Sequence, residues 1–342
     1  MTERTTLLAS HEPLAGRYDV ALLDLDGVVY VGPSAVEGAR DHLLEARSLG
    51  MRLAYVTNNA SRTPQTVAAH LRDLGMPADD GDVVTSAQAA ARVVAELVPA
   101  GSRILVVGGT GLVEALRERE MVPVDSADDD PAAVAQGFSP DLGWALLAEG
   151  AYALERGVPW IASNTDLTIP TPRGRAPGNG TLVDVLRTAT GRTPVVAGKP
   201  ETPMHAESVA RTGAQRPVVV GDRLDTDIEG ANRADVDSLL VFSGVTDEAD
   251  VVLAANELRP TYIADDLGGL HHPHPETERT PDGWRCGTST ATVSDGALQV
   301  TIDGPPAHRL DVVRAACAAA WTYGARRLDP SAVRRALAPV LR

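Results

Sequence analysis

Two aspartates, Asp24 and Asp26, close an apolar run in the string Asp24-Leu25-Asp26-Gly27. In an extended chain their two-residue spacing sends both carboxylates to one side, and Gly27 lets the backbone turn sharply beneath them. One carboxylate of such a pair can sit on a metal ion, ionised and nucleophilic, while its neighbour is freer to carry a proton. A second acidic string, Gly221-Asp222-Arg223-Leu224-Asp225-Thr226-Asp227, follows another apolar run. Its oxygen-only donors, in a chain with no clustered Cys/His set, suit a hard cation, and Mg²⁺ is the usual one beside phosphate. Asp222 is the direct ligand in this reading, and Asp227 orients the arrangement from behind.

Of the 31 Lys and Arg residues only one is a lysine, Lys199 in Gly198-Lys199-Pro200. A chain that otherwise uses Arg places a compact ammonium where a broad guanidinium fork will not serve, and phosphate is a ligand it can hold. Thr57-Asn58-Asn59 ends a further apolar run. Its hydroxyl, two amides and backbone N–H groups can hold phosphate oxygens without adding charge.

These strings need elements to carry them. Short apolar runs alternate with helix-length amphipathic stretches, the pattern of a parallel sheet covered by helices. Strands are expected at 19–25, 51–56, 217–220 and 238–242, with helices at 36–49, from Pro64, and at 203–212. A second series runs from a helix capped by Ser86 through strands at 103–107, 132–138 and 158–162. Helices at 111–119 and 143–156 separate these, and Gly178-Asn179-Gly180 leads into another that ends at Gly191. The chemical strings lie in the outer series and none lies in the inner block. The expected division is a core at 1–85 and 194–270 with an α/β cap inserted at 86–193. Residues 271–342 form a linker, through the tract His271-His272-Pro273-His274-Pro275-Glu276, and a small α+β appendage: a hairpin pairing 284–290 with 298–302, then two Ala/Arg-rich helices.

Taken together and in this order, the strings at 24–30, 57–59, 198–200 and 221–228 resemble the haloacid dehalogenase superfamily of aspartate-nucleophile phosphatases. An insert between the second and third strings is similar to the subgroup of nitrophenyl-phosphate and pyridoxal-phosphate phosphatases. The resemblance covers roughly residues 15–270 and implies a Rossmann-like core. It implies that Asp24 attacks phosphorus to form an aspartyl-phosphate, and that Asp26 protonates the leaving group and then activates water. It further implies Mg²⁺ on the side chains of Asp24 and Asp222 and the backbone carbonyl of Asp26. Lys199 would steady the nucleophile and phosphoryl oxygens, and Thr57 with Asn58 would bind phosphate. The chain departs from the family pattern at none of these positions.

In the cap, Ser163-Asn164-Thr165-Asp166 and the Gly-rich run from Arg173 to Gly180 are expected to face the core, so Asn164 and Arg173 are leaving-group contacts. No aromatic cluster for stacking a pyridine ring is visible there. An Arg-rich chain with an appended segment resembles bacterial glycerol-3-phosphate phosphatases, which makes glycerol 3-phosphate the leading substrate. Pyridoxal phosphate, phosphoglycolate and sugar phosphates are its rivals. A phospho-accepting receiver also combines Asp, Thr and Lys, but Asp26 and the large insert argue against it; a metal-free dehalogenase is disfavoured by Asp26 with Asp222.

Composition sets the outer limits. At 342 residues and 44% apolar content the chain supports two aliphatic cores, and its net charge of -15 argues against nucleic-acid and anionic-membrane partners. A small phosphorylated metabolite is still admitted by a locally positive pocket. Two cysteines, no apolar N-terminal segment and no run near the roughly 18 residues needed to span a bilayer suit a soluble cytoplasmic enzyme. A homodimer through the cap is a further expectation. Gly108-Gly109-Thr110-Gly111 lacks the spacing of a dinucleotide loop, and Pro200 rules out a Walker loop. The appendage faintly resembles part of an acetyltransferase fold without a Gly-rich coenzyme A loop, so packing or assembly is expected of it.

Overall fold

The computed structural model describes residues 4–171, 173–304 and 308–339, so Met1 and Glu3 of the N-terminal stretch lie outside it. The chain divides into two units, one from residues up to Leu53 and from Ala214 onward, the other from Ala54 to Gly213.

In the first unit, strands Val20–Leu23, Pro217–Gly221, Asp237–Val241 and Tyr262–Ala264 run parallel, with Val20 opposite Pro217, Val218 opposite Asp237 and Leu239 opposite Tyr262. Every residue of Val20–Leu23 is buried, as expected of a strand covered on both faces. Helix Ala39–Ser48 buries Ala39, Leu43 and Ala46, positions three and four apart that share one helical face. It starts later than the expected 36, after a left-handed Gly38, and is capped by Leu49 just before Gly50, whose φ of +94° only glycine adopts readily.

The appendage is larger than the expected hairpin. Glu278–Thr280, Gly283–Cys286, Ser289–Ser294 and Ala297–Ile302 form a four-stranded antiparallel sheet. The longest pairing joins Ser289–Ser294 to Ala297–Ile302 through Asp295-Gly296, both at positive φ. An Asp-Gly pair with those angles makes the tight hairpin turn, which shifts the register away from the 284–290 pairing expected above. Helices Arg309–Tyr323 and Pro330–Leu337 complete the appendage. Trp321, Cys317 and Leu310 share one apolar cluster with Leu240 and Ile263 of the parallel strands and Val252 of helix Glu248–Val252. Trp321 donates its indole N–H to Val251 O at 3.1 Å, and the buried Arg314 donates to Ile263 O at 3.2 Å. The tract expected as a linker is docked too, since His274 is buried and exchanges backbone hydrogen bonds with Ser10.

In the second unit a five-stranded parallel sheet has the order Val195–Val196, Trp160–Ala162, Ala133–Gln136, Arg103–Val107, Val122–Val124. Helix Ser86–Leu97 is capped one residue earlier than expected, by Thr85, in a reciprocal box with Gln88. Gly111 lies on the first turn of helix Thr110–Glu118, where a Cβ would stand 2.5 Å from Arg62 O and 2.6 Å from Ala60 O. That glycine string is thus a site of close backbone packing. Among the described residues no helix is long and apolar enough to cross a membrane.

Candidate active site

Strand Val20–Leu23 delivers Asp24 to its C-terminal end, where Asp24 N donates to Val220 O at 2.8 Å. Gly27, at φ +86°, turns the chain back, and a Cβ there would lie 2.4 Å from Asp222 Oδ2. Only glycine therefore lets this loop approach the second acidic string. Strand Pro217–Gly221 brings in Asp222, fully buried, whose Oδ2 accepts from Val245 N at 2.7 Å. Gly244 presses on it from the other side, its Cβ position only 2.0 Å from the same oxygen. Asp227, also fully buried, rises from the π-helical turn Leu224–Ile228 and accepts from Arg223 N at 3.2 Å.

Carboxylate oxygens of Asp24, Asp222 and Asp227 all lie within 4.8 Å of one another. Three carboxylates at that separation repel strongly unless a proton or cation is shared among them, and two of these are out of contact with water. An oxygen-only set of this kind can hold a hard divalent cation. Asp26 is exposed and outside this trio, and Asp225 faces away to pair with Arg223 at 2.8 Å. Ser243-Gly244-Val245-Thr246 also shapes the site, with Ser243 Oγ donating to Gly27 O at 2.7 Å. Sequence reading missed this loop; the only trace of it was a small polar string after the expected 238–242 strand.

The second unit carries the remaining strings. Thr57 is buried at the end of strand Arg52–Thr57, and its Oγ1 accepts from Asn59 N at 3.1 Å. Asn58 reaches Lys199 twice: its Oδ1 accepts from Lys199 N at 2.8 Å, and its Nδ2 donates to Lys199 O at 3.1 Å. The same Nδ2 lies 3.2 Å from Asp166 Oδ2. Asn58 O in turn accepts from Asn164 Nδ2 at 2.7 Å and Ser86 Oγ at 2.6 Å. Lys199 is 6% exposed, and its Nζ donates to Val56 O at 3.3 Å. Asn59 is exposed and accepts from Ser61 N and Ser61 Oγ. Thus Asn58 spends its amide on the backbone of Lys199 and Asn164 spends its own on the backbone of Asn58, uses that residue type alone did not reveal. Arg173 is exposed at the turn joining Thr168–Thr171 to Gly174–Pro177.

Comparison with known proteins follows this geometry. The haloacid dehalogenase-like hydrolase family matches residues 21–121, and the HAD-hydrolase-like family matches 196–270. The D-glycerol 3-phosphate phosphatase of Mycobacterium tuberculosis is 44% identical over 315 residues, spanning 90% of this chain and 87% of that protein. The chain belongs to the haloacid dehalogenase-like hydrolases. A solved glycerol phosphate phosphatase from M. tuberculosis in complex with magnesium matches this hydrolase with a TM-score of 0.86 and 42% identity, over 96% of this chain and 98% of that one. A p-nitrophenyl phosphatase from Archaeoglobus fulgidus matches with a TM-score of 0.68 and 26% identity, over 74% of this chain and 98% of that one. That is the subgroup the motifs resembled. The hydrolase's tail, residues 286–340, matches a GCN5-related N-acetyltransferase-like domain, in line with the faint resemblance noted in the sequence.

Proposed function

We propose that this hydrolase is a Mg²⁺-dependent phosphatase that cleaves small phosphomonoesters through an aspartyl-phosphate, with glycerol 3-phosphate as its leading substrate. The observation that carries the reading is the carboxylate trio at the ends of two parallel strands, two of its members fully buried, closed in by Gly27 and Gly244. The 44% identity to a D-glycerol 3-phosphate phosphatase supports the substrate. Asp24 and Asp222, with the backbone carbonyl of Asp26, would hold Mg²⁺, which when bound neutralises charge on the transferring phosphoryl group.

In this mechanism a carboxylate oxygen of Asp24 attacks phosphorus as the ester oxygen departs. Asp26, exposed and outside the trio, gives its proton to that oxygen and takes one back from the water that hydrolyses the acyl-phosphate. General acid–base work of this kind contributes on the order of 10² to 10⁴ in rate. Asp227 orients the arrangement from behind. Lys199 and Thr57 are assigned to the phosphoryl oxygens, Asn58 to holding the Lys199 backbone, Asn164 to holding Asn58 in turn, and Asn59 and Arg173 to phosphate and leaving group. Residues 86–193 act as the cap that selects the leaving group. A homodimer through that cap is part of the reading, supported by Trp144, Tyr152 and Leu167, which are 79%, 51% and 60% exposed.

A phosphate-release panel over glycerol 3-phosphate, pyridoxal phosphate, phosphoglycolate and sugar phosphates, with Mg²⁺ present, tests the substrate. Glycerol 3-phosphate should give the highest kcat/KM; a place among the poorest would remove it and leave the reaction class standing. Stripping divalent ions with EDTA should abolish turnover, and added Mg²⁺ should restore it. Full activity after exhaustive chelation would refute the role given to the trio.

A further inference from the structure

A second group of metal-ligating side chains shares no residue with the carboxylate trio. His42 and Glu45, three apart on helix Ala39–Ser48, and His271, just beyond the turn Leu267–Leu270, each offer one donor atom, all within 4.8 Å of one another. Glu45 Oε2 lies 3.8 Å from His271 Nε2, and the two imidazoles are tilted with centroids 5.5 Å apart. Asp266 adds a carboxylate oxygen 3.7 Å from His42 Nε2.

His271 supplies the independent sign that something is meant to sit there. Its side chain is only 4% exposed, and neither ring nitrogen has a hydrogen-bond partner. A buried imidazole left in that state is costly. Glycines frame the imidazole of His42: a Cβ at Gly38 would fall 2.9 Å from its Nε2, and one at Gly268 3.4 Å from it. Ligand atoms around a tetrahedral Zn²⁺ stand roughly 3.3 Å apart, given Zn–N and Zn–O lengths near 2.0–2.1 Å. Glu45 and His42 have side chains 58% and 29% exposed, which leaves them room to close the remaining gap.

We propose that His42, Glu45 and His271 form a binding site for Zn²⁺, with the fourth position left to water. Two imidazoles with one carboxylate are a borderline-soft set that favours Zn²⁺ over Mg²⁺. The ion clips helix Ala39–Ser48 to the segment from which the chain departs toward the appendage.

The test is a Zn²⁺ titration of the full chain against a chromogenic chelator, after metal stripping and in excess Mg²⁺ so that the carboxylate trio is already supplied. One Zn²⁺ should bind per chain with submicromolar affinity, and Co²⁺ in its place should show the visible absorption of a tetrahedral site. His42→Ala and His271→Ala should each weaken binding by at least about 100-fold, and Glu45→Gln by about 10-fold. Zinc should also raise the melting temperature of the wild type and not that of His42→Ala. If His271→Ala fails to fold, His42→Ala carries the test, because that ring is partly exposed on a helix. Unchanged zinc affinity in His42→Ala, or no zinc retained by the wild type beyond what that variant retains, would overturn the site.

Discussion

Asp24→Asn should release no measurable phosphate, with kcat lowered on the order of 10⁴-fold or more, as when a covalent nucleophile is removed elsewhere. The amide matches the carboxylate in shape but offers no anionic oxygen to phosphorus. The fold should not suffer. Asp24 shares its surroundings with the carboxylates of Asp222 and Asp227, so removing one negative charge relieves repulsion, and the melting temperature should stay level or rise slightly. Circular dichroism with a phosphate-release assay separates the two effects. Rapid quench of the wild type with substrate should yield a chain heavier by one phosphoryl group, and the variant should yield none. Near-normal turnover by Asp24→Asn would place the nucleophile elsewhere.

Lys199→Arg is the second large effect expected, although formal charge is conserved. Lys199 is 6% exposed, and its Nζ already lies 3.3 Å from Val56 O. Its neighbour Gly198 has no slack, since a Cβ there would stand 2.4 Å from Ser163 O and 2.6 Å from Asn58 Oδ1. A guanidinium must either displace Val56 or project into the space meant for phosphate. Overpacking of this sort costs roughly 1–3 kcal/mol, and kcat/KM should fall by about 10² or more if the reacting groups shift by an ångström. Lys199→Met keeps the stem, loses the charge and should be at least as impaired. Normal kinetics in the arginine variant would mean that charge alone matters at this position.

Much of this was legible because strand ends and chemistry coincide in the sequence. Asp24, Thr57 and Asp222 each follow an apolar run, and each stands where that run ends. Gly191 and Gly213 stop helices at left-handed C-caps, as their positions suggested. What escaped reading depends on partners distant in sequence. Asn58 was read as a phosphate ligand by its amide, and nothing local says that the amide grips the backbone at residue 199. The donation of Val245 N to Asp222 is invisible for the same reason. In the tail, the Asp295-Gly296 turn was a readable signal that the longer expected hairpin passed over. The tract from His271 was expected to be a linker, yet His271 and His274 are buried by packing that composition does not encode.

The apolar cluster joining Trp321, Cys317 and Leu310 to Leu240, Ile263 and Val252 bears on how such a protein can change over generations. Because the last helices lend their side chains to an interior shared with the parallel strands, losing them strips that interior of a wall. Deleting residues 309–337 would expose the apolar side chains of Leu240, Ile263 and Val252 that they now cover. A shorter chain could stay folded only if the positions facing this shared interior were changed with it.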